Sequence, residues 1–447
     1  MAILLSIKEQ LLAAKWPLIS MWAVGLLLRL IFFNCFTMHG DHAWLSYDSQ
    51  QYHDRAQHLV MHGTLVDETS TQKAYRLPGY PLFLACWYAL AENGLMLGLY
   101  IQILLASLIP LLVFLLAHIL FPLMPCIAYT AGWVTTFHLG FVLFAGMVAT
   151  ETVAVILLLL VLLILLQEQG LAAAGFLLGF LSLIRPVGHY LVILIACWLL
   201  WQRYSYKKVG LFLGSWFLVV LPWLLRNFLL VGGICFHTLP GIHFLQYSAA
   251  AVVMQRDHVS YLDARRQLLA LWDSKVQAQK LSISEYQRCI TGEKLATNIM
   301  RRHPVYVCKH ALTELFKTLC ALHATQMIIA DVGGWPVYTA ETTWWEKIGY
   351  NLAPPIKTTW LQPIIYWDVL STIFILFFSL IGLLLLLLQR RLTAAIALCV
   401  LVAGLLWGVT FAYGCARLRL PFEPIMIIFG GYGVYTSWCW FTGKKMG

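Results

Sequence analysis

Two carboxylates and five arginines stand out in a chain otherwise short of charge. Asp48 lies in the polar segment Ser46-Tyr47-Asp48-Ser49-Gln50-Gln51-Tyr52-His53-Asp54-Arg55, and Glu151 follows Thr150 at the head of a long apolar run. Arg76, Arg185, Arg226, Arg417 and Arg419 each stand where an apolar stretch begins or ends. A carboxylate at a membrane surface can take the proton of an acceptor hydroxyl as a new bond forms. Charge next to hydrocarbon is costly and tends to be retained for function, so several such groups on one side point to a shared pocket. Each has a structural account as well. Asp48 followed by Gln51 has the form of a capping box, Glu151 after Thr150 suits a capped helix start, and a single arginine at a helix end is explained by snorkelling.

The elements that must position these groups are helices in a bilayer. Of the 447 residues, 61% are hydrophobic and 11% charged, too little polar material to cover a water-soluble surface. Runs such as Val153 to Leu166, Val209 to Leu230 and Leu370 to Leu388 do not alternate, which argues for helix over strand. Basic residues gather in short flanks (Lys8 and Lys15; Arg203, Lys207 and Lys208; Arg390 and Arg391; Lys444 and Lys445), the pattern of cytoplasmic loops. The formal net charge of +10 is therefore topological; no soluble basic face is offered to nucleic acid.

Whole spans threaded between these clusters number about ten. The first runs from Trp16 to Phe36, and the next three segments are Leu95 to Leu120, Cys126 to Met147 and Val153 to Leu166. Leu171 to Leu183, Tyr190 to Trp201 and Val209 to Leu230 follow, and Ile364 to Leu388, Leu392 to Tyr413 and Pro421 to Phe441 complete the set. This path puts Asp48, Arg76, Glu151, Arg185, Arg226, Arg417 and Arg419 on one outer face. It divides the chain into an N-terminal membrane module, 1–230, with an external loop over 37–94; a mostly helical external region, 231–362; and C-terminal spans, 363–447. Tyr52, Ala56 and Leu59 recur at helical spacing, so the first loop carries an amphipathic surface helix. Gly79 to Glu92 is too short to cross and reads as interfacial. Arg29 lies inside the first span with no acid nearby in sequence; it either pairs within the bundle or meets a lipid phosphate. Met1 to Phe36 has no small-residue cleavage site after it and reads as a span, not a leader.

The 11 cysteines show no zinc spacing; Cys235, Cys289 and Cys308 fall in the second external region, where a disulfide is open to them without a fixed pairing. His39, His42, His53, His58 and His62 enrich the first loop, but no pair has visible supporting partners, so no metal ligands are assigned.

Asp48-Ser49-x-x-Tyr52, followed by Arg76-Leu77-Pro78-Gly79-Tyr80-Pro81-Leu82-Phe83-Leu84-Ala85, resembles the first loop of GT-C membrane glycosyltransferases. The likeness is to the bacterial branch related to protein O-mannosyltransferases and lipid A aminoarabinose transferases. Thr150-Glu151, Arg185-Pro186, Pro222-Trp223-Leu224-Leu225-Arg226-Asn227, His303-Pro304 and Ala416-Arg417-Leu418-Arg419-Leu420-Pro421 match in order, over about Arg29 to Gly433. No single match is specific; the ordered set on one outer face is much harder to dismiss. The chain departs from the family at Ser49, where a second acid is common, and over Phe236 to His243, where relatives carry an Asn- and Gly-rich stretch. Ala250 to Thr291 and Gly333 to Trp360 match nothing in it.

The resemblance implies an all-α, GT-C-like bundle of about ten transmembrane helices. It implies a glycosyltransferase that moves a hexose or pentose, with inversion, from a polyprenyl-monophosphate carrier to a hydroxyl of a protein, lipid or glycan. It gives Asp48 the role of base. The departing phosphate would then be met by Arg185, Arg226, Arg417 and Arg419, with Arg76 behind them, since a planar guanidinium binds phosphate oxygens in pairs. Glu151 would orient an arginine or the acceptor, Arg29 and Asn227 would bind substrate, and Tyr52 with Gly79-Tyr80-Pro81 would shape the loop. No metal is obligatory, although a divalent ion is compatible. The implied setting is a bacterial inner membrane with the site facing outward. Two other classes share parts of the pattern: a polysaccharide polymerase or ligase using a diphosphate-linked donor, and a lipid-linked sugar transporter or flippase, which would favour midplane charges and internal repeats.

Overall fold

The computed structural model describes residues 15–37, 47–66, 70, 72–167, 170–278, 283–325, 327, 359 and 361–443. Lys8, His39, His42, Lys444, Lys445 and nearly all of the Trp-rich stretch from Gly333 to Trp360 lie outside them. The regular elements among the described residues are helices. Apolar residues without alternation leave no other way to satisfy the backbone in hydrocarbon.

The first half comprises α1 (Lys15–Thr37), α2 (Tyr47–His62), α3 (Gly79–Tyr88), α4 (Gly94–Ala106), α5 (Ile109–Leu120), α6 (Pro125–Phe137), α7 (Leu139–Leu143), α8 (Glu151–Leu166), α9 (Leu171–Ile184), α10 (Gly188–Trp201) and α11 (Tyr206–Val231). The second half comprises α12 (Leu239–His243), α13 (Ala250–Asp257), α14 (Tyr261–Ala278), α15 (Glu285–Arg302), α16 (Pro304–Cys320), α17 (Leu361–Leu388), α18 (Ala394–Gly408), α19 (Ala416–Arg419) and α20 (Glu423–Thr442).

Each of the ten segments expected to span is helical, but they differ in reach. Lys15–Cys35, Gly94–Leu120, Tyr206–Val231, Leu361–Leu388 and Ala394–Ala412 are long and apolar enough to cross a membrane. A sixth crossing arises if Pro125–Phe137 and Leu139–Gly146, bent by 54° at His138, count as one span. Glu151–Leu166, Leu171–Ile184 and Gly188–Trp201 are shorter. The long helices carry apolar side chains outward, among them Leu27, Leu218, Leu229, Ile373 and Leu380, each more than half exposed. Such faces are stable only against lipid, and the chain is a multi-pass integral membrane protein. Pro222 sits inside α11 without ending it.

One continuous core joins α1 and α3 to α10 with α17, α18 and α20. A smaller one, with Leu245, Val253, Leu268, Trp272 and Ala296 at its centre, packs α13, α14 and α15 together. The expected helical second loop is mostly helical where it is described. Cys235, Cys289 and Cys308 are all free thiols, so the disulfide open to them is not formed.

Candidate active site

Asp48 occupies the first turn of α2. Its carboxylate does not cap that helix. One oxygen accepts from Arg76, and the other accepts from Nη1 of Arg417 at 2.8 Å. Gln51, the other half of the expected capping box, accepts instead from Nε of Arg76 at 2.7 Å. Two arginines outcompete backbone amides here because a charge-assisted bond is roughly twice as strong as a neutral one.

Glu151 opens α8 and is fully buried. Thr150 stands at the N-cap position but makes no side-chain cap bond; its hydroxyl lies 3.5 Å from the Glu151 carboxylate. One oxygen of Glu151 accepts both from Arg185 Nη1 at 3.1 Å and from Arg417 Nε. Arg417 therefore bridges the two carboxylates, and Asp48, Arg76, Glu151, Arg185 and Arg417 form one connected network. Its members come from four stretches of chain: α2 with the loop after it, the head of α8, the end of α9 and α19. Three guanidiniums face two carboxylates, which leaves one positive charge uncompensated.

The local structure explains how these groups are held. Gly79 starts α3 against the end of α9: a Cβ there would lie 2.8 Å from the Leu183 carbonyl oxygen and 2.6 Å from Ile184, just before Arg185. The Tyr80 hydroxyl donates to Gln102 Oε1 at 2.8 Å and accepts from the Ala149 amide at 3.0 Å, two residues from Glu151. The Gln102 amide in turn donates to the carbonyls of Ala145 and Met147 at 2.9 and 2.8 Å. Tyr52 meets Tyr80 edge-on at 5.3 Å between ring centroids, and the Arg76 guanidinium lies 5.5 Å from the Tyr52 ring. Tyr52 and Tyr80 thus pack α2 against α3 beside Arg76.

Arg226 and Asn227 stand apart from the network. Arg226 lies over Trp223, donates to the Lys73 carbonyl at 2.9 Å and to Asn227 Oδ1 at 2.8 Å, and so holds the chain leading to Arg76. Asn227 donates to the Cys235 carbonyl at 2.8 Å. Arg419 is buried and its guanidinium is consumed elsewhere, on Glu423, the carbonyls of Leu319 and Ala321, and Thr372. It cannot turn toward a phosphate without abandoning them. Arg29 is buried in α1, donates to the Gly25 carbonyl at 2.9 Å and leaves Nε and Nη2 without a hydrogen-bond partner.

Residues that carried no sequence signal of their own complete the support. The Glu285 carboxylate accepts from the Ala74 amide at 3.1 Å and from the Thr238 hydroxyl, tying the second external region to the approach to Arg76. Arg55 donates to the Gln72 carbonyl at 3.1 Å. Gln102 had a signal, a lone amide within an apolar run, while Glu285 is one acid among many in a polar segment.

Burial alone would push the Asp48 carboxyl up; the charges and hydrogen bonds of Arg417 and Arg76 more than offset it, and Asp48 is held below 3.8, its ordinary value. It is thus an ionised carboxylate at neutral pH, at the edge of the network and about one-third exposed. Two of the described first-loop histidines are engaged locally: His53 Nδ1 lies 2.7 Å from the Tyr88 hydroxyl and His58 Nδ1 lies 2.7 Å from the Thr64 carbonyl. A different trio, His138, His323 and Glu423, is the group whose side chains could hold a metal ion among the described residues.

No family model matches the chain, and comparison with curated proteins gives no match. Among solved structures, the Archaeoglobus fulgidus oligosaccharyltransferase, in complex with Zn and sulfate, aligns at 11% identity and a TM-score of 0.47 over 95% of this chain and 50% of its own. The chain thus spans half the length of that protein. ArnT from Cupriavidus metallidurans aligns in the apo state at 14% identity, with a TM-score of 0.39, over 96% of this chain and 80% of its own. The same protein bound to undecaprenyl phosphate aligns at 15% identity, with a TM-score of 0.40, over 97% and 81% respectively.

Proposed function

We propose that the chain is a glycosyltransferase that moves a sugar from a polyprenyl-monophosphate carrier to an acceptor hydroxyl at the non-cytoplasmic face of a bacterial inner membrane, with inversion at the anomeric carbon. The observation that carries this is the network in which Arg417 joins Asp48 to Glu151, with Arg76 and Arg185 completing it. Its one uncompensated positive charge suits a singly charged phosphodiester. It suits still better the monophosphate that leaves, whose charge grows as the bond breaks and which guanidiniums already gathered at the site stabilise. The ordered GT-C-like motifs supply the same pair of roles, a loop-one aspartate and outer arginines.

In this mechanism Asp48 accepts the proton of the attacking hydroxyl while the oxygen attacks the anomeric carbon and the sugar–phosphate bond breaks. Arg417 and Arg185 receive the phosphate. Arg76 remains as the counter-charge that keeps Asp48 ionised before the reaction. Glu151, fully buried, does not meet the acceptor; it fixes Arg185 and Arg417 relative to one another. Arg226 and Asn227 act through the loop that carries Arg76.

The test is Asp48→Asn, compared with wild type at matched expression, with labelled polyprenyl-monophosphate sugars and release of free polyprenyl monophosphate as the readout. Loss of a positioned general base is expected to lower the rate by roughly 10²- to 10⁴-fold. Full retained transfer would remove Asp48 from the chemistry. Release from a diphosphate-linked donor instead would identify a polymerase or ligase.

A further inference from the structure

We infer that His138, His323 and Glu423 form a binding site for one divalent first-row cation of the zinc type, separate from the Asp48–Arg417 network. The three residues come from distant parts of the chain. His138 sits at the 54° bend between α6 and α7, His323 follows the end of α16, and Glu423 is the first residue of α20. All three are at most 2% exposed, and one ligand atom from each lies within 4.8 Å of the others.

One hydrogen bond holds the trio on the His323 side, and the gap on the His138 side leaves room for a cation. His323 Nε2 lies 2.8 Å from one Glu423 oxygen, but His138 Nε2 lies 3.6 Å from the other, which has no hydrogen-bond partner. That gap is too long for a hydrogen bond. It is close to the separation of about 3.4 Å between two ligands that each stand about 2.1 Å from a tetrahedral metal. Two imidazoles and a carboxylate are a donor set for zinc and its neighbours; magnesium and calcium prefer oxygen alone.

The surroundings orient these ligands. Arg419 donates to the Glu423 oxygen that faces His323, which turns the other oxygen toward His138. The His323 ring packs onto the backbone at Gly140, where a Cβ would lie 2.8 Å from its Cε1. Asp368, fully buried, accepts at 2.7 Å from the amide of Ala324, the residue after His323, and keeps an unpartnered oxygen. The charges of Arg419 and Arg29 oppose a cation. A bound ion would pin α16 and α20 to the bend after α6, six residues along the chain from Arg417.

The test is metal titration of the full chain in lipid nanodiscs after EDTA dialysis, with Zn²⁺ followed calorimetrically and Co²⁺ followed by its visible absorption. One equivalent per chain is expected, with the intense absorption of tetrahedral Co²⁺. His138→Gln and His323→Gln are each expected to weaken binding at least tenfold. The first-loop pair His58 and His62, with rings 4.6 Å apart, is the competing chelator, so H58Q/H62Q is expected to leave the titration unchanged. Absence of saturable binding to wild type would overturn the proposal irrespective of how the variants fold. So would binding that survives both His138→Gln and His323→Gln, or binding that H58Q/H62Q abolishes.

Discussion

Replacing Arg417 by lysine probes the bridge while conserving the charge. The guanidinium places Nη1 at 2.8 Å from Asp48 and donates through Nε to Glu151, so a single planar group satisfies two carboxylates from different helices. An ammonium is one point of donation on a flexible stem and can hold only one of them well. Glu151 keeps Arg185 at 3.1 Å and Asp48 keeps Arg76, so neither acid is left wholly unpaired. The loss is therefore one charge-assisted hydrogen bond, about 1.5–3 kcal/mol. If that bond is transferred to the phosphate in the transition state, the rate falls by roughly 10- to 150-fold. The assay is initial-rate release of free polyprenyl monophosphate in nanodiscs from a panel of labelled monophosphate-linked hexoses and pentoses, presented with native membranes as the acceptor source. Arg419→Lys is the matched control: its donors serve carbonyls, Thr372 and Glu423, so it should lower the unfolding temperature more than the rate of the surviving folded enzyme. A wild-type rate for Arg417→Lys, with stability intact, would refute the assignment of Arg417 to the departing phosphate.

Tyr80→Phe removes the hydroxyl shared by Gln102 and the Ala149 amide and strands both in a dry site; a loss of about 1–3 kcal/mol is expected, read as a lower unfolding temperature. Gly79→Ala pushes a methyl against the Leu183 carbonyl and Ile184 and should cost about 1–3 kcal/mol while moving Arg185, so thermal stability and turnover should fall together. Because Asp48 is held below its ordinary value in the fold, its share of stability is fully present above the unfolded-state value near 3.8 and is lost as pH falls through the lower folded-state value. Wild type should therefore lose more stability than Asp48→Asn on acidification below about pH 4, and equal acid sensitivity of the two would contradict the ion pairing.

Much of this was legible in the sequence because membrane helices write themselves in composition. The ten expected segments are all helical, and Asp48, Arg76, Glu151, Arg185 and Arg417 converge although up to 369 residues separate them. Partner choice was not legible. Asp48 with Gln51 has the spacing of a capping box, yet both side chains serve Arg76, because spacing along one helix says nothing of which arginine arrives from another segment. Arg417 and Arg419 are two residues apart and look equivalent in sequence. The short α19 turns them to different sides, one to Asp48 and Glu151, the other to Glu423 and the end of α16. The three short apolar helices α8, α9 and α10 likewise left span length ambiguous, since composition marks them as buried in hydrocarbon or protein without saying which.

The network also bears on when Asp48 can act as a base. A carboxylate held between two guanidiniums is a poor proton acceptor, and a site fixed in that state would lack driving force for deprotonating a sugar hydroxyl. The arginines shared with Asp48 are the same groups a phosphate would recruit. In the proposed reaction an incoming donor draws Arg417 toward its phosphate, and Asp48 then loses one of its two cationic partners while keeping Arg76. Its basicity rises only when the donor is in place. Glu151 makes this exchange specific: it holds Arg417 through Nε, so that the guanidinium can release Asp48 by pivoting its far end without leaving the site. An acceptor bound without donor would meet a neutralised aspartate. That order of events follows from one arginine serving two acids, and it disappears if Arg417 is replaced by a side chain that can hold only one.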